Sequence, residues 1–343
     1  MKKKRKKYIK IAVEVVAFIL FIAVLGYGLQ YVDTEKANVS DESSINDWKI
    51  QVPRGKIKLN GNKYEYYHDF ENYLLIGTDA TGNSKNGADY QGSMADFLML
   101  VIVDKTENTY SFQFNRDTMT EVALIDHNGE GEATANIQLC TAHWYGGNRE
   151  QSCENTVKSV KKLLGGIQID GYYELNMSEI PKLNSMVDGV TVTLEDDFSK
   201  KYPKMKKGAT INLDDEQAYA YVHDRYGVGD EENTSRMKRQ QQYMTGFFKK
   251  LQEKVKANPN YANEVFESLQ DVSTTDITIG KISNISNIFA SGTDKGIFEL
   301  AGKSKIGQAL GDEIDHMEFY VNKKAMVSTM SELFGIVEQK NKE

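Results

Sequence analysis

Proline is scarce in this 343-residue chain; only four occur, which excludes a proline-rich stalk. There are two cysteines, Cys140 and Cys153, with no C-x2-C metal pair between them. The five histidines, His68, His127, His143, His223 and His316, are scattered. No H-E-x-x-H, no G-x-S-x-G and no Ser-His-Asp order stands out, which argues against the zinc and serine hydrolases that use those patterns. A phosphate-binding P-loop is also missing, which argues against ATP use. Positive charge is in deficit: the formal charge is −7 and the pI about 5.5, so no nucleic-acid partner is expected. What is present is enough for a folded body. Apolar residues make up 40% and aromatics 10%, which excludes global disorder. The length fits one large domain or two ordinary ones with a substantial core.

The charge is unevenly placed. Lys2, Lys3, Lys4, Arg5, Lys6, Lys7 and Lys10 crowd residues 1–10, leaving the remainder of the chain acidic. Val15 to Val32 then runs for 18 residues without a formal charge, and extending back to Ile11 takes in only Glu14, four positions after Lys10. About 20 apolar residues span a bilayer as a helix. A basic block before such a span keeps the N-terminus cytoplasmic. The run is too long for a cleaved signal peptide, and Thr34 to Asn38 offers no small-residue cleavage site. The expectation is a single-pass protein of the cell membrane: a cytoplasmic basic segment (1–10), an uncleaved transmembrane anchor (11–32) and everything else outside. Residues 33–65 are polar and read as a linker or a loosely docked first segment. On the outer side Cys140 and Cys153 could pair as a disulfide, which the oxidising compartment favours over two buried free thiols.

Tyr73 to Ile76 reads as a buried strand closed by Gly77-Thr78-Asp79. Phe97 to Val103 is a second apolar run, and Tyr110 to Phe114 alternates apolar with polar, so residues 96–117 read as an antiparallel hairpin. That hairpin places Asp96, at the start of one strand, beside Arg116, at the end of the other. Asp79 ends a third strand and could reach the same sheet edge. Sites in open α/β sheets gather at such edges. A carboxylate pair beside an arginine suits a metal ion and a phosphate. Helices are expected over 153–164, 177–187, 214–223 and 233–255, with strands over 172–175 and 189–194. In the last helix, capped by Asn233 or Thr234, Arg236, Gln240 and Tyr243 share a face near the N-terminus and Arg239 can join them. Helix N-termini favour anions. Residues 256–343 complete the same unit or form a small subdomain.

In order and spacing these pieces resemble the LytR–CpsA–Psr family of cell-wall glycopolymer transferases. The matching segments are Asn72-Tyr-Leu-Leu-Ile-Gly-Thr-Asp79, the strand from Asp96, Asn115-Arg-Asp-Thr118, Gly166-Ile-Gln-Ile-Asp-Gly-Tyr-Tyr173, Met186-Val-Asp-Gly-Val-Thr-Val192, and Leu213 to Val222 leading into Arg225, Arg236 and Arg239-Gln-Gln241. The resemblance implies a three-layer α/β/α sandwich with a central mixed β-sheet, its catalytic domain over about 66–255, preceded here by the single N-terminal helix. It implies transfer of a phosphoglycan of teichoic acid or capsule type from a polyprenyl-pyrophosphate carrier to peptidoglycan. By the family pattern Asp79 and Asp96 would hold Mg²⁺. Arg116, Arg225 and Arg236 would bind the pyrophosphate and carry catalysis, with Arg239 and Gln240 in support and Asp117 orienting Arg116. Three customary polar or basic positions are occupied instead by Thr81, Met94 and His223. Those departures keep two rivals open: a non-catalytic module that binds the lipid-linked glycan, and a lipid pyrophosphatase with water as acceptor.

Overall fold

The computed structural model describes residues 54–67, 69–79, 90, 92–104, 108–131, 133–258, 261–277 and 292–339. The expected anchor over 11–32 lies outside the described residues. Among those described, no helix is long and apolar enough to cross a membrane.

A six-stranded sheet is the frame, in the order β11-β8-β3-β4-β5-β12. It contains β3 (Phe70–Thr78), β4 (Ala95–Asp104), β5 (Asn108–Gln113), β8 (Gly171–Asn176), β11 (Ser273–Thr275) and β12 (Thr293–Glu299). β4 is antiparallel to both β3 and β5. β8 joins β3 in parallel, and β12 joins β5 in parallel. The sheet is therefore mixed, as expected. The 96–117 hairpin forms with Leu100 opposite Phe112.

Alternation along the strands sends side chains to two faces. Leu74, Ile76, Leu98, Leu100, Ile102 and Phe112 enter one core. Helices α1 (Arg149–Leu163) and α6 (Lys323–Phe334) cover it. The Asn148 side chain caps α1 by accepting from the Gln151 N–H. The opposite layer is built from α2 (Ile180–Met186), α3 (Asp215–His223), α4 (Asn233–Ala257) and α5 (Tyr261–Leu269). Pro181 sits in the first turn of α2, where its missing N–H costs nothing. Asp214 and Gln217 close a reciprocal capping box on α3. α4 begins one residue earlier than its expected cap. Glu232 holds the cap position without a side-chain bond, and Asn233 is the first helical residue, its side chain turned inward.

One further difference from expectation concerns the start of the domain. The last part of the 33–65 segment is ordered: β1 (Gly55–Leu59) and β2 (Asn62–Tyr66) pair around Asn60-Gly61. Both turn residues have positive φ, 54° and 89°, as a two-residue hairpin loop requires. Ile57, Leu59 and Tyr64 anchor this hairpin in the first core. β15 (Ile336–Glu338) pairs with β2, so the C-terminal region is woven into the same unit. Three short two-stranded sheets complete the described strands: β6 (Met119–Ala123) with β7 (Thr134–Gln138), β9 (Thr191–Thr193) with β10 (Thr210–Asn212), and β13 (Gly302–Gly307) with β14 (His316–Val321).

The expected disulfide is absent: Cys140 and Cys153 are both free, buried thiols. Cys140 lies in the 3-10 turn Leu139–His143 and faces Arg116, 3.2 Å from its Nη2. Cys153 lies in α1 and faces His143, 3.6 Å from its Nε2. Burial pushes both thiols up, so they stay protonated and unreactive.

The sheet core supplies a direct test. Leu100 is fully buried at the centre of β4. Leu100→Ala is expected to lower the unfolding free energy by about 2–5 kcal/mol in urea titrations. A loss below about 1 kcal/mol would show that this strand does not carry the core.

Candidate active site

The site lies at the edge where β3 ends and β4 begins, and a β-bulge shapes it. Gly77 pairs with Phe97 and Thr78 with Ala95, so Asp96 faces no partner across the ladder. Bulges re-aim a side chain in this way. Gly77 is required by the close approach: a Cβ there would lie 2.9 Å from Phe97 Cβ. Asp96 is thereby aimed off the sheet into two guanidinium groups. Arg116 Nη1 pairs with Oδ1, and Arg236 Nη1 donates to Oδ2 at 3.0 Å.

Each arginine is held from behind. Arg116 belongs to the turn after β5, where Thr118 N–H and its hydroxyl both donate to Asn115 O. The backbone of that turn is pinned from outside by Cys140 N–H onto Arg116 O and Phe319 N–H onto Asp117 O. Arg236 is 4% exposed and donates through Nη2 to Asn233 Oδ1 at 2.7 Å. Asn233 Nδ2 in turn donates to Asn115 Oδ1 at 2.9 Å, which ties α4 to the arginine turn. Neither Asn115 nor Asn233 was marked by the sequence reading as a site residue, although the Asn-Arg-Asp-Thr turn carried the first in plain view.

Asp117 lies beside Arg116, its Oδ1 3.5 Å from Nε. Burial raises its pKa, and Arg116, Arg236 and Arg225 work against that rise. Arg225 is thus within electrostatic range of the cluster. Its hydrogen-bond partner is the Tyr226 hydroxyl at 2.6 Å. Among the described residues no carboxylate lies within ion-pair distance of it. Three polar atoms of the cluster, Arg116 Nε, Arg236 Nε and Asp117 Oδ2, are buried and make no hydrogen bond among the described residues. Buried polar groups are nearly always paired, so three orphans in one cluster mark a place prepared for a ligand.

Asp79 reaches the same edge. Its N–H donates to Met94 O at 3.0 Å, and Asn176 Nδ2 donates to its carbonyl at 2.9 Å. Its carboxylate lies 3.7 Å from His223 Nε2, and the other ring nitrogen lies 3.3 Å from Asp224 Oδ1. The hydrogen bond that His223 donates to Asp224, with the fields of Asp224, Asp79 and Asp96, raises the His223 pKa against the effect of burial. Tyr219 stacks on the imidazole at 4.6 Å. Met94 offers its sulfur to Arg116 Nη2 at 2.9 Å. Thr81 lies outside the described residues.

Two residues expected at the phosphate are placed elsewhere. Arg239 is 1% exposed and turned toward α3, where it binds Asp196 at 2.5 Å and the carbonyls of Tyr221 and Asp224. Three helical positions rotate a side chain about 60° away from Arg236, enough to make it an internal strut. Gln240 spends its amide on Val222 O at 3.1 Å and accepts from Gln113 at 3.1 Å, joining α3, α4 and β5.

Behind the charged edge lies an apolar cavity of about 190 Å³ between sheet and helices. Leu75, Phe97, Met177, Tyr243 and Phe247 are among its walls. Its walls include Phe97 and Val222, the chain neighbours of Asp96 and His223, and Gln240, one helical turn after Arg236.

The sequence profile of the LytR_cpsA_psr family matches residues 64–334. The comparison with curated proteins gave no match. Among solved structures, protein gbs0355 from Streptococcus agalactiae is similar, with a TM-score of 0.62 and 21% identity over 79% of this chain and 90% of its own. B. subtilis TagV follows with a TM-score of 0.57 and 19% identity, covering 78% of this chain and 98% of its own. A structure described as TagT bound to LI-WTA has a TM-score of 0.56 and 20% identity, over 78% of this chain and 91% of its own. At these identities the likeness is one of fold.

The two outlying arginines are expected to behave oppositely. Arg239→Ala strands Asp196 and two carbonyls, and should cost about 3–5 kcal/mol in denaturant unfolding. Arg225→Ala removes a guanidinium with no ion pair to lose, and should stay within about 0.5 kcal/mol of the parent. Equal losses would overturn the division between strut and site. His223 gives a pH test. Its folded pKa lies above the ordinary 6.5. Its stabilising contribution is therefore complete below about pH 6.5 and is lost as pH rises through the raised folded value. In thermal melts the gap between the parent and His223→Gln should be wider near pH 5.5 than near pH 8.5. A gap that grows with pH would mean that the ring is held neutral.

Proposed function

We propose, for a chain that belongs to the LytR_cpsA_psr family, a membrane-anchored phosphotransferase acting outside the cell. It moves a phosphoglycan from a polyprenyl-pyrophosphate carrier to peptidoglycan. The observation that carries this reading is an arginine cluster at one sheet edge with an apolar cavity walled in part by Phe97 and Val222, the chain neighbours of Asp96 and His223. A prenyl pyrophosphate has this same division, a dianionic head on a hydrocarbon tail. Arg116, Arg225 and Arg236 suit the head, since guanidinium forks match phosphate oxygens. The cavity suits the first isoprene units of the tail. The basic block and apolar run of residues 1–32 would hold the domain at the membrane where such a carrier resides.

Phosphoryl transfer demands neutralised charge and alignment more than a protein nucleophile. Arg116 and Arg236 are pre-set by Asp96 and Asn233, so they meet the developing charge without reorganising. An acceptor hydroxyl oxygen attacks the glycan-bearing phosphorus and gives up its proton to solvent, the bridging P–O bond breaks with its electron pair passing to the leaving oxygen, and polyprenyl phosphate leaves. Asp79 and Asp96 would be the hard oxygen donors to Mg²⁺, Asp96 through the lone pairs left beside its bonds to Arg116 and Arg236. Among the described residues no cluster of three or more acidic, histidine or cysteine side chains converges to hold a metal. Two carboxylates suffice for a cation that takes its remaining ligands from substrate phosphates and water. When bound, Mg²⁺ supplies further charge neutralisation at the pyrophosphate.

The test uses the full chain in detergent with a polyprenyl-pyrophosphate glycan, Mg²⁺ and uncrosslinked peptidoglycan. Glycan linked to peptidoglycan, with polyprenyl phosphate released, is the expected outcome. Arg225→Ala should lower turnover by about 10²–10³-fold, the usual loss on removing one transition-state donor. Binding without either product would establish a non-catalytic module. Free phosphoglycan would establish a pyrophosphatase.

A further inference from the structure

Tyr226 is 77% exposed, more than any other large apolar side chain among the described residues. Folding gives no reason for it. The neighbouring Val228 is 7% exposed and belongs to the apolar cluster of the helical layer with Phe198, Tyr221 and Tyr243. Between them the chain is fixed by short-range bonds. Gly227 N–H donates to Glu231 Oε1 at 2.8 Å, Val228 N–H to Arg225 O at 3.3 Å, and Glu231 N–H to Val228 O at 3.1 Å. Asp230 then ties the loop to the start of α4 by accepting from Ser235 Oγ at 2.8 Å. A built loop therefore holds a bare aromatic ring in solvent.

The ring's one polar neighbour is informative. Arg225 lies with its guanidinium carbon 4.7 Å from the ring centroid and donates to the hydroxyl at 2.6 Å. Arg225 is also the least committed of the three arginines, since Asp96 compensates the other two. The charge of Arg225 is felt at Asp117 and Arg236, and the exposed ring beside it offers a flat apolar surface. Resting on the proposed carrier reading, we propose that Tyr226 is the stacking platform for the first sugar of the glycan, the ring attached directly to the pyrophosphate. A pyranose presents a face of C–H groups to an aromatic ring and hydroxyls at its rim, where the phenol can bond them. Sugar and phosphate are one covalent bond apart in the donor, as platform and arginine are one residue apart in the chain. Tyr226 is then a residue for specificity: it separates a glycan-loaded carrier from a bare one, which has the same head and tail.

The experiment measures binding of two probes to the full chain in detergent: geranylgeranyl pyrophosphate, and the same lipid pyrophosphate carrying one N-acetylhexosamine. The parent should bind both. Tyr226→Ala should weaken the sugar-bearing probe by about five- to tenfold and leave the sugar-free probe and the melting temperature unchanged. Tyr226→Trp, which keeps a platform, should restore the difference. Equal affinity of Tyr226→Ala and parent for the sugar-bearing probe would overturn the proposal. So would an equal loss for both probes, because the ring would then act only by positioning Arg225. A parent that binds neither probe would overturn the carrier reading and this inference with it.

Discussion

A single buried carboxylate organises this site. Asp96 takes one guanidinium on each oxygen, and the two arginines come from parts of the chain more than a hundred residues apart. Arg116 closes the central hairpin, while Arg236 opens the longest helix. The ion triad therefore fixes how the helical layer sits over the sheet edge. Ionic groups in such surroundings are costly to desolvate, and a buried pair is weak evidence of stability for its own sake. Here the cost leaves something useful: two positive groups with one negative charge between them, and orphaned N–H groups on both. The cluster is stable enough to wait for an anion and poor enough in partners to want one.

The apolar cavity has the complementary logic. A helical layer that closed fully on the sheet would bury more surface. Instead Tyr243 and Phe247 of α4 and Leu75 and Phe97 of the sheet line an open space between the two layers. The polar struts that hold the layers at this spacing are Gln240 and Arg239, both buried and both fully engaged. They keep α3 and α4 in position.

Much of this was legible beforehand because hydrophobic period is a local property. The alternation in Tyr110 to Phe114 and the run from Phe97 fix the hairpin, and the hairpin alone brings Asp96 to Arg116. The fate of Arg239 was not legible, since Arg236 and Arg239 look alike in a helical pattern and only the position of α3 separates them. Asp96's aim also escaped, because a one-residue bulge leaves no mark on composition. The cysteine pairing was misjudged for a related reason: compartment and count say nothing about which way two thiols point. The N-terminal hairpin was missed despite a clear local sign. Asn60-Gly61 between Lys56-Ile-Lys-Leu59 and Lys63-Tyr-Glu-Tyr66 is a turn flanked by alternating residues.

That hairpin bears on the order of assembly. β2 lies between β1, beside it in sequence, and β15, which is made more than 260 residues later. A chain emerging N-terminus first presents the middle strand of this small sheet with one edge bare until residues 336–338 are made. The last three-residue strand is the clasp. A product cut short just before Ile336 would keep every arginine of the site yet leave an open strand edge beside its point of departure from the linker, the kind of surface that invites another chain to pair.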